Sequence, residues 1–239
     1  MMIITLIFIS ALSAINELAA RRIAMNKMIQ ENKSILYAFD IFPKGFNPKS
    51  LSSTATISDI PWTSQDVMQS LQSNISLKKF PLTPQQLKER PDLVEGDSLP
   101  VWICRDSSQA VRAYGFYLKG KGLWGSMTAF AAVAPDFNHL VGIDFTEQVE
   151  TPGLGARIIE EHFKHFFRNL NIREASETGA FTAIEMVRKK DQPNTEIPTN
   201  QFEAVTGATL TSTGVLHMLC ADLHFYRSVI APQTLPSER

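Results

Sequence analysis

The chain opens on Met1 to Asn16, an uncharged run made mostly of Ile, Leu, Met, Phe and Ala. It is apolar all round rather than striped, unlike a helix that lies on a soluble core. Carried on to Ala20 as a helix it would be roughly 30 Å long, enough to cross a bilayer with Glu17 at the interface. A single membrane anchor is the favoured reading. A cleaved signal peptide competes with it, but no basic stretch precedes the run and no clear A-x-A site follows. From Glu17 to about Leu36, the apolar Leu18, Ile23, Met28 and Ile35 alternate with charged and amide residues, so the helix continues out of the anchor. Pro43 and Gly45 end it within Tyr37 to Phe46.

Asn47 to Asp59 is rich in Ser and Thr and reads as a loop. Val67, Leu71 and Ile75 recur four apart and predict a helix over Thr63 to Leu77, capped by Thr63 or Ser64. Pro81 to Pro100 carries four prolines and many charges, the mark of an irregular linker with a short helix near Pro84 to Arg90. Strands follow at Leu99 to Arg105, Val111 to Leu118, Met127 to Ala134 and Leu140 to Thr146. In the last, Leu140, Gly142, Asp144 and Thr146 share one face, and Val141, Ile143 and Phe145 the other. Pro135 to His139 (PDFNH) is turn chemistry between the last two, so they form an antiparallel hairpin. There is no regular βαβ alternation, which argues against a Rossmann sheet.

Thr151 to Gly155 (TPGLG) is a stiff turn. A helix is expected over Ala156 to Leu170, with Ile158, Ile159, His162, Phe163, Phe166 and Phe167 facing the core and Glu160, Glu161, Lys164 and Arg168 facing out. Thr182 to Lys189 reads as a strand and Asp191 to Asn200 as a polar loop. A closing helix runs from about Leu210 to Ile230, and a disordered tail is expected from Pro232. The fold class is α+β: a mainly antiparallel sheet with flanking helices and an N-terminal membrane-anchor helix. The divisions are an anchor and helical extension (1–36), a helix and loop segment packed on the main body (37–98), the main domain (99–231) and the tail (232–239).

Composition narrows the function. The 239 residues are 44% hydrophobic and 20% charged with a net charge of −1, an ordinary globular balance with no electrostatic footprint for nucleic acid. Lys78-Lys79 and Arg188-Lys189-Lys190 read as solvated surface. Cys104 and Cys220 stand far apart and outside any CxxC pattern, which argues against zinc, iron–sulfur or attached haem. Their apolar neighbours suggest buried thiols; a disulfide between them stays open. His162/His165 and His217/His224 lack a ligand set with metal spacing and are better read as ordinary helix residues. No GxSxG, Walker or GxGxxG motif is present.

One stretch stands apart: Val205 to Val215, VTGATLTSTGV. Gly207 lets backbone approach a ligand closely, and a helix start offers N–H groups and a dipole that favour a phosphate. Thr206, Thr209, Thr211, Ser212 and Thr213 add hydroxyl donors. Ordinary capping would explain the same residues.

Glu203 to Thr209 (EAVTGAT), Gly120 to Trp124 (GKGLW) and Glu150 to Gly155 (ETPGLG) occur in an order and spacing that resembles the FMN-binding domain family: the C subunit of the sodium-translocating NADH:quinone reductase and its relative, the G subunit of the Rnf complex. The attachment motif of that family resembles Asp-x-x-(Ser/Thr)-Gly-Ala-(Thr/Ser), its last residue joined to FMN by a phosphoester. Glu203 stands where the family usually has Asp, and Gln148 where a His often precedes ETPGLG. The resemblance implies covalent FMN on Thr209, with Thr206, Gly207, Ala208, Leu210 and Thr211 framing the phosphate. Glu150, Thr151, Pro152, Gly153, Leu154 and Gly155, together with Gly122, Leu123 and Trp124, would lie near the ring. It further implies an electron carrier matured by a flavin transferase and working with other membrane subunits of a reductase complex. Such a protein is a single-pass one of the bacterial inner membrane with its FMN domain on the periplasmic side, although Arg21, Arg22 and Lys27 alone would place the bulk in the cytoplasm. A flavin-less structural subunit and a free-standing flavoprotein donor are the alternatives.

Overall fold

A computed structural model describes residues 2–90, 93, 96–172, 184–188 and 198–234. Its centre is a six-stranded antiparallel meander with strands in sequence order: β1 (Ile75–Pro81), β2 (Ser98–Arg105), β3 (Val111–Lys121), β4 (Ser126–Val133), β5 (His139–Glu147) and β6 (Leu170–Asn171). β7 (Glu185–Val187) and β8 (Gln201–Glu203) form a separate parallel pair. Tyr114, Phe116 and Leu118 of β3 face one side of the sheet, where Met218, Leu219, Leu223 and Tyr226 of α5 (Thr209–Thr234) cover them. Ala113 of β3 and Phe130 and Ala132 of β4 face the other side, covered by Ile35, Ala38 and Phe39 of α1 (Met2–Ala38). Burial on both faces is why β4 reads as a nearly unbroken apolar run.

The expected hairpin is present, with Asp136 accepting from the Asn138 N–H and Phe137 at φ +56° in the turn. Within β5 the simple alternation fails. The pairs Ala132↔Gly142 and Val133↔Leu140 leave Val141 as an extra residue, a bulge that moves Leu140 to the side of Ile143 and Phe145. Gly142 and Asp144 remain under α1, and a Cβ on Gly142 would sit 2.9 Å from the Ala38 carbonyl oxygen. α1 therefore runs antiparallel to β5: Ala38 lies on Gly142, Ser34 bonds Asp144, and Lys27 pairs with Glu147 at 2.7 Å. Among the described residues no helix is long and apolar enough to cross a membrane.

Four other expectations are corrected. The helix predicted over Thr63 to Leu77 is α2 (Ser64–Asn74), capped by a reciprocal Thr63–Asp66 box, and it stops where β1 begins. The short helix expected near Pro84 to Arg90 is present as α3 (Pro84–Glu89), but the ends of the expected linker belong to the sheet: Pro81 closes β1, its edge strand, and Ser98 opens β2. The helix expected over Ala156 to Leu170 is broken into a 3-10 stretch (Gly155–Ile159), one α turn, α4 (Glu161–Lys164), and a second 3-10 turn (His165–Phe167). Its supposed outer face is turned inward at Glu161 and Lys164, which are 8% and 1% exposed. Finally, α5 continues through Pro232 to Thr234 where a tail was expected; 235–239 lie outside the described residues. So do 182–183 and 189 of the strand expected at Thr182 to Lys189, and 191–197 of the loop after it.

The inward turn has identifiable partners. Lys164 Nζ lies 2.6 Å from Asp144 Oδ1, and the Ser34 hydroxyl donates to Asp144 Oδ2 at 2.7 Å. The Tyr37 hydroxyl donates to Glu161 at 2.5 Å, and Arg168 completes the group with bonds to both (2.9 and 2.8 Å). The foot of α1 is thus tied by charge to the segment that follows the TPGLG turn. Burial pushes the Tyr37 phenol well above its ordinary pKa.

Candidate functional site

The three sequence motifs meet at one end of the sheet, and a single carboxylate joins them. Glu150 follows β5 and is 6% exposed. Its Oε1 accepts the Trp124 backbone N–H at 2.9 Å, and its Oε2 accepts the Thr211 hydroxyl at 2.6 Å. Its own N–H donates to the Gln148 side-chain oxygen at 2.6 Å. The β3–β4 turn, the segment after β5 and the first turn of α5 are held together through this side chain. A Cβ on Gly122 would strike the Glu150 carboxylate, and one on Gly155 would lie 2.6 Å from Thr211 Oγ1. A Cβ on Gly214 would strike the Lys121 carbonyl oxygen, so α5 lies directly on the end of β3.

The loop into α5 turns at Gly207, φ +81°, a conformation that favours glycine. Ser212 braces it from inside: its hydroxyl accepts the Val205 N–H at 3.0 Å and donates to the Ala208 carbonyl at 3.1 Å. Thr213 donates back to the Thr209 carbonyl at 2.9 Å. Of the five hydroxyls expected to serve a ligand, those of Thr211 and Ser212 are therefore turned inward and that of Thr213 is spent within the helix. Thr206 and Thr209 are exposed. Thr209 is the first residue of α5, where backbone N–H groups have no acceptor one turn back in the helix.

Around this turn stand Leu123, Trp124, Val149, Leu154 and Leu210, each between 45% and 69% exposed. Five large apolar side chains at the junction of three motifs form a platform suited to a flat aromatic group. Val149 was not among the residues singled out from sequence; its place between Gln148 and Glu150 was the available signal. Thr151, Pro152 and Gly153 are exposed, Gly153 at φ +76° with open space beside it, and Leu154 closes the turn with its N–H on the Thr151 carbonyl at 3.1 Å.

Behind Thr206 lies a cleft of about 390 Å³ lined by Arg157, His162, His165, Phe166, Glu203 and Ala204. It is polar rather than basic, because Arg157 pairs with Glu160 at 3.2 Å. His162 Nδ1 lies 3.1 Å from the same carboxylate but out of line for a hydrogen bond. Burial first and Arg157 second pull the His162 pKa below its ordinary value. The sequence named Glu203 and His162 but gave no sign that a broken helix would bring them to one wall. Among the described residues no group of three His, Cys, Asp or Glu side chains is placed to hold a metal. Cys104 and Cys220 are separate thiols, and burial raises both pKa values.

The residues fit a phosphate-bearing planar group: an exposed hydroxyl at a helix start, a glycine turn open to approach, and an apolar platform beside them. Comparison with known proteins points the same way. Residues 122–221 match a family model described as FMN-binding domain. The C subunit of the Na(+)-translocating NADH-quinone reductase of Pseudomonas aeruginosa is 30% identical over 109 residues, 46% of this chain and 39% of that protein. Its counterpart from Vibrio anguillarum is 36% identical over 98 residues, 41% and 36% of the two chains. The chain spans less than half the length of these relatives. The crystal structure of Shewanella oneidensis NqrC superposes with a TM-score of 0.63 at 19% identity, covering 87% of this chain and 99% of that one. The C subunit from Parabacteroides distasonis gives 0.58 at 23% identity, covering 86% and 94%. At these identities the two structures establish a shared α+β fold.

Proposed function

Since residues 122–221 belong to the FMN-binding domain family, we propose that this chain carries FMN on Thr209 through a phosphoester bond and works as an electron-carrying subunit of a sodium-translocating NADH-quinone reductase complex. The observation that carries this reading is the Glu150 clasp, which gathers all three motifs at the start of α5, where Thr209 is exposed. The curated relatives, named as the C subunit of that reductase, support the choice of complex. Thr209 is an anchor, not a catalyst. Thr206, Gly207, Ala208 and Leu210 frame the phosphate from outside, and Thr211 holds the turn from within. Gly122, Leu123 and Trp124, together with Glu150, Thr151, Pro152, Gly153, Leu154 and Gly155, lie near the ring, with Trp124 available to pack on it. FMN supplies the redox chemistry; the chain supplies position, electrostatics and partial exclusion of water.

Attachment is the work of a flavin transferase that uses FAD, the Thr209 oxygen taking the FMN phosphoryl group and AMP leaving. The uncharged start of α1 anchors the chain in the bacterial inner membrane beside other membrane subunits, with the FMN domain, about 99–231, on the periplasmic side. The exposed Ile9, Leu12 and Ile15 support this, as do the contacts that tie the helix to the body in its later turns, from Lys27 to Phe39. A flavin-less structural subunit is the second reading, and Glu203 in place of the usual Asp favours it.

Intact-mass analysis of the full chain, co-expressed with a flavin transferase, tests the assignment. An FMN-sized increase is expected on wild type and none on Thr209→Ala. No increase on wild type, or one that persists in Thr209→Ala, refutes it.

A further inference from the structure

We propose that Glu150 is a positioning residue for the bound flavin: its carboxylate fixes Trp124 against the start of α5 and sets a buried negative charge beneath the ring, which lowers the flavin's midpoint potential. The proposal rests on the flavin reading above. Both carboxylate oxygens are taken by neutral donors, the Trp124 N–H and the Thr211 hydroxyl, and the backbone N–H of the same residue is oriented by Gln148. A carboxylate accepts both bonds, one on each oxygen. A glutamine has one acceptor oxygen and would turn an NH₂ group toward a donor. Gly122 and Gly155 belong to two different motifs, yet a Cβ on either would collide with this side chain or with its partner Thr211. Those two glycines clear space for Glu150, not for the ligand.

A charge that is 6% exposed is weakly screened by solvent, so it acts over a longer range than a surface carboxylate would. A flavin packed on Trp124 would gain negative charge on reduction, and the anion that holds the Trp124 N–H would oppose that change. The neutral donors on Glu150 moderate the charge without cancelling it.

The test uses the full chain loaded with FMN by co-expression with a flavin transferase, as wild type, Glu150→Gln and Thr211→Val. Loading is read by intact mass and the midpoint potential by spectroelectrochemical titration. In the unloaded chain, hydrogen exchange at the Trp124 amide is the second readout. Glu150→Gln removes the charge, so its potential should move positive and its Trp124 amide should exchange faster than in wild type. Thr211→Val keeps the charge and removes a compensating donor, so its potential should move negative. An unchanged potential in loaded Glu150→Gln, or a shift of the same sign in both variants, overturns the proposal while leaving the flavin reading intact. Absence of FMN on wild type refutes both. If Glu150→Gln does not fold, Thr211→Val decides: a negative shift supports the proposal, and no shift overturns it.

Discussion

Replacing Lys164 by Met should destabilise the protein severely although Lys164 belongs to none of the three motifs. Its side chain is 0% exposed and that of Asp144 1%, with 2.6 Å between Nζ and Oδ1. The substitution fills most of the volume, so cavity formation is a small term. What remains is Asp144, buried and charged, with the neutral Ser34 hydroxyl as its donor. Breaking one side of a buried pair costs about 3–5 kcal/mol, because the surviving charge has lost both water and partner. The Nζ also sits 3.9 Å from the centre of the Tyr37 ring, and losing that desolvated contact adds to the cost. Taking a urea m-value of about 3 kcal/mol/M for a chain of this size, the midpoint should fall by about 1–1.7 M. The double variant Lys164→Met with Asp144→Leu should regain most of that loss, since an apolar pair needs no desolvated charge. Urea titration followed by circular dichroism checks both. A single variant within about 0.5 kcal/mol of wild type, or a double variant no better than the single one, refutes the reasoning.

Gly214→Ala should cost about 1–3 kcal/mol, because its Cβ meets the Lys121 backbone carbonyl and backbone cannot yield as a side-chain end can; thermal melting reads it, and an unshifted melting temperature counts against the close approach of α5 to β3. His162 has a folded pKa below its ordinary value of 6.5, from burial and from Arg157. The unfolded chain therefore binds its proton first as pH falls. The stability tied to neutral His162 is complete above pH 6.5, declines as pH drops from there to the folded pKa, and is constant below it. In His162→Asn the urea midpoint should depend less on pH between about 5 and 7; equal slopes in variant and wild type contradict this.

β2 to β5 could be placed from sequence because their periodicity is local: β3 alternates, β4 is a nearly unbroken apolar run, and PDFNH marks the turn between β4 and β5. The motif cluster was legible for a different reason, since each piece carries its own signature. What could not be read depends on partners distant in the chain. β1 reads ISLKKFP: helical spacing runs on into it as far as Leu77, and Lys78 and Lys79 read only as solvated surface; they are the charges that keep an edge strand from pairing with another molecule. Glu161 and Lys164 fall on what helical spacing makes a polar face. They are buried because Tyr37, Arg168 and Asp144 come to them from elsewhere in the fold, and the helix breaks so that Phe163 and Phe167 can still reach the core. The inward turn of Thr211 escaped notice likewise, because its partner lies 61 positions away.

The buried charges and the site belong to one arrangement. α1 lies antiparallel on β5, so the helix leaves the body at the end of the sheet where Gln148 to Gly155 begins. From Lys27, paired with Glu147, to Asn16 is about 17 Å of helix. The apolar platform at Leu123, Trp124, Val149, Leu154 and Leu210 therefore stands at the end of the domain from which the uncharged stretch departs. A helix held only by apolar contacts could slide or rotate on the sheet at little cost. The Lys164–Asp144–Ser34 and Tyr37–Glu161–Arg168 groups demand specific geometry and fix its register, and with it the height of the platform above the start of the chain. In Lys164→Met with Asp144→Leu, stability should therefore return while the definition of that height does not. A spin-label distance between Ala19 and Ser126 should be single and narrow in wild type and broader in the double variant. An equally narrow distribution in both would show that the Lys164–Asp144 pair is not needed to set the register, the Tyr37–Glu161–Arg168 group and the packing of Ile35, Ala38 and Phe39 sufficing.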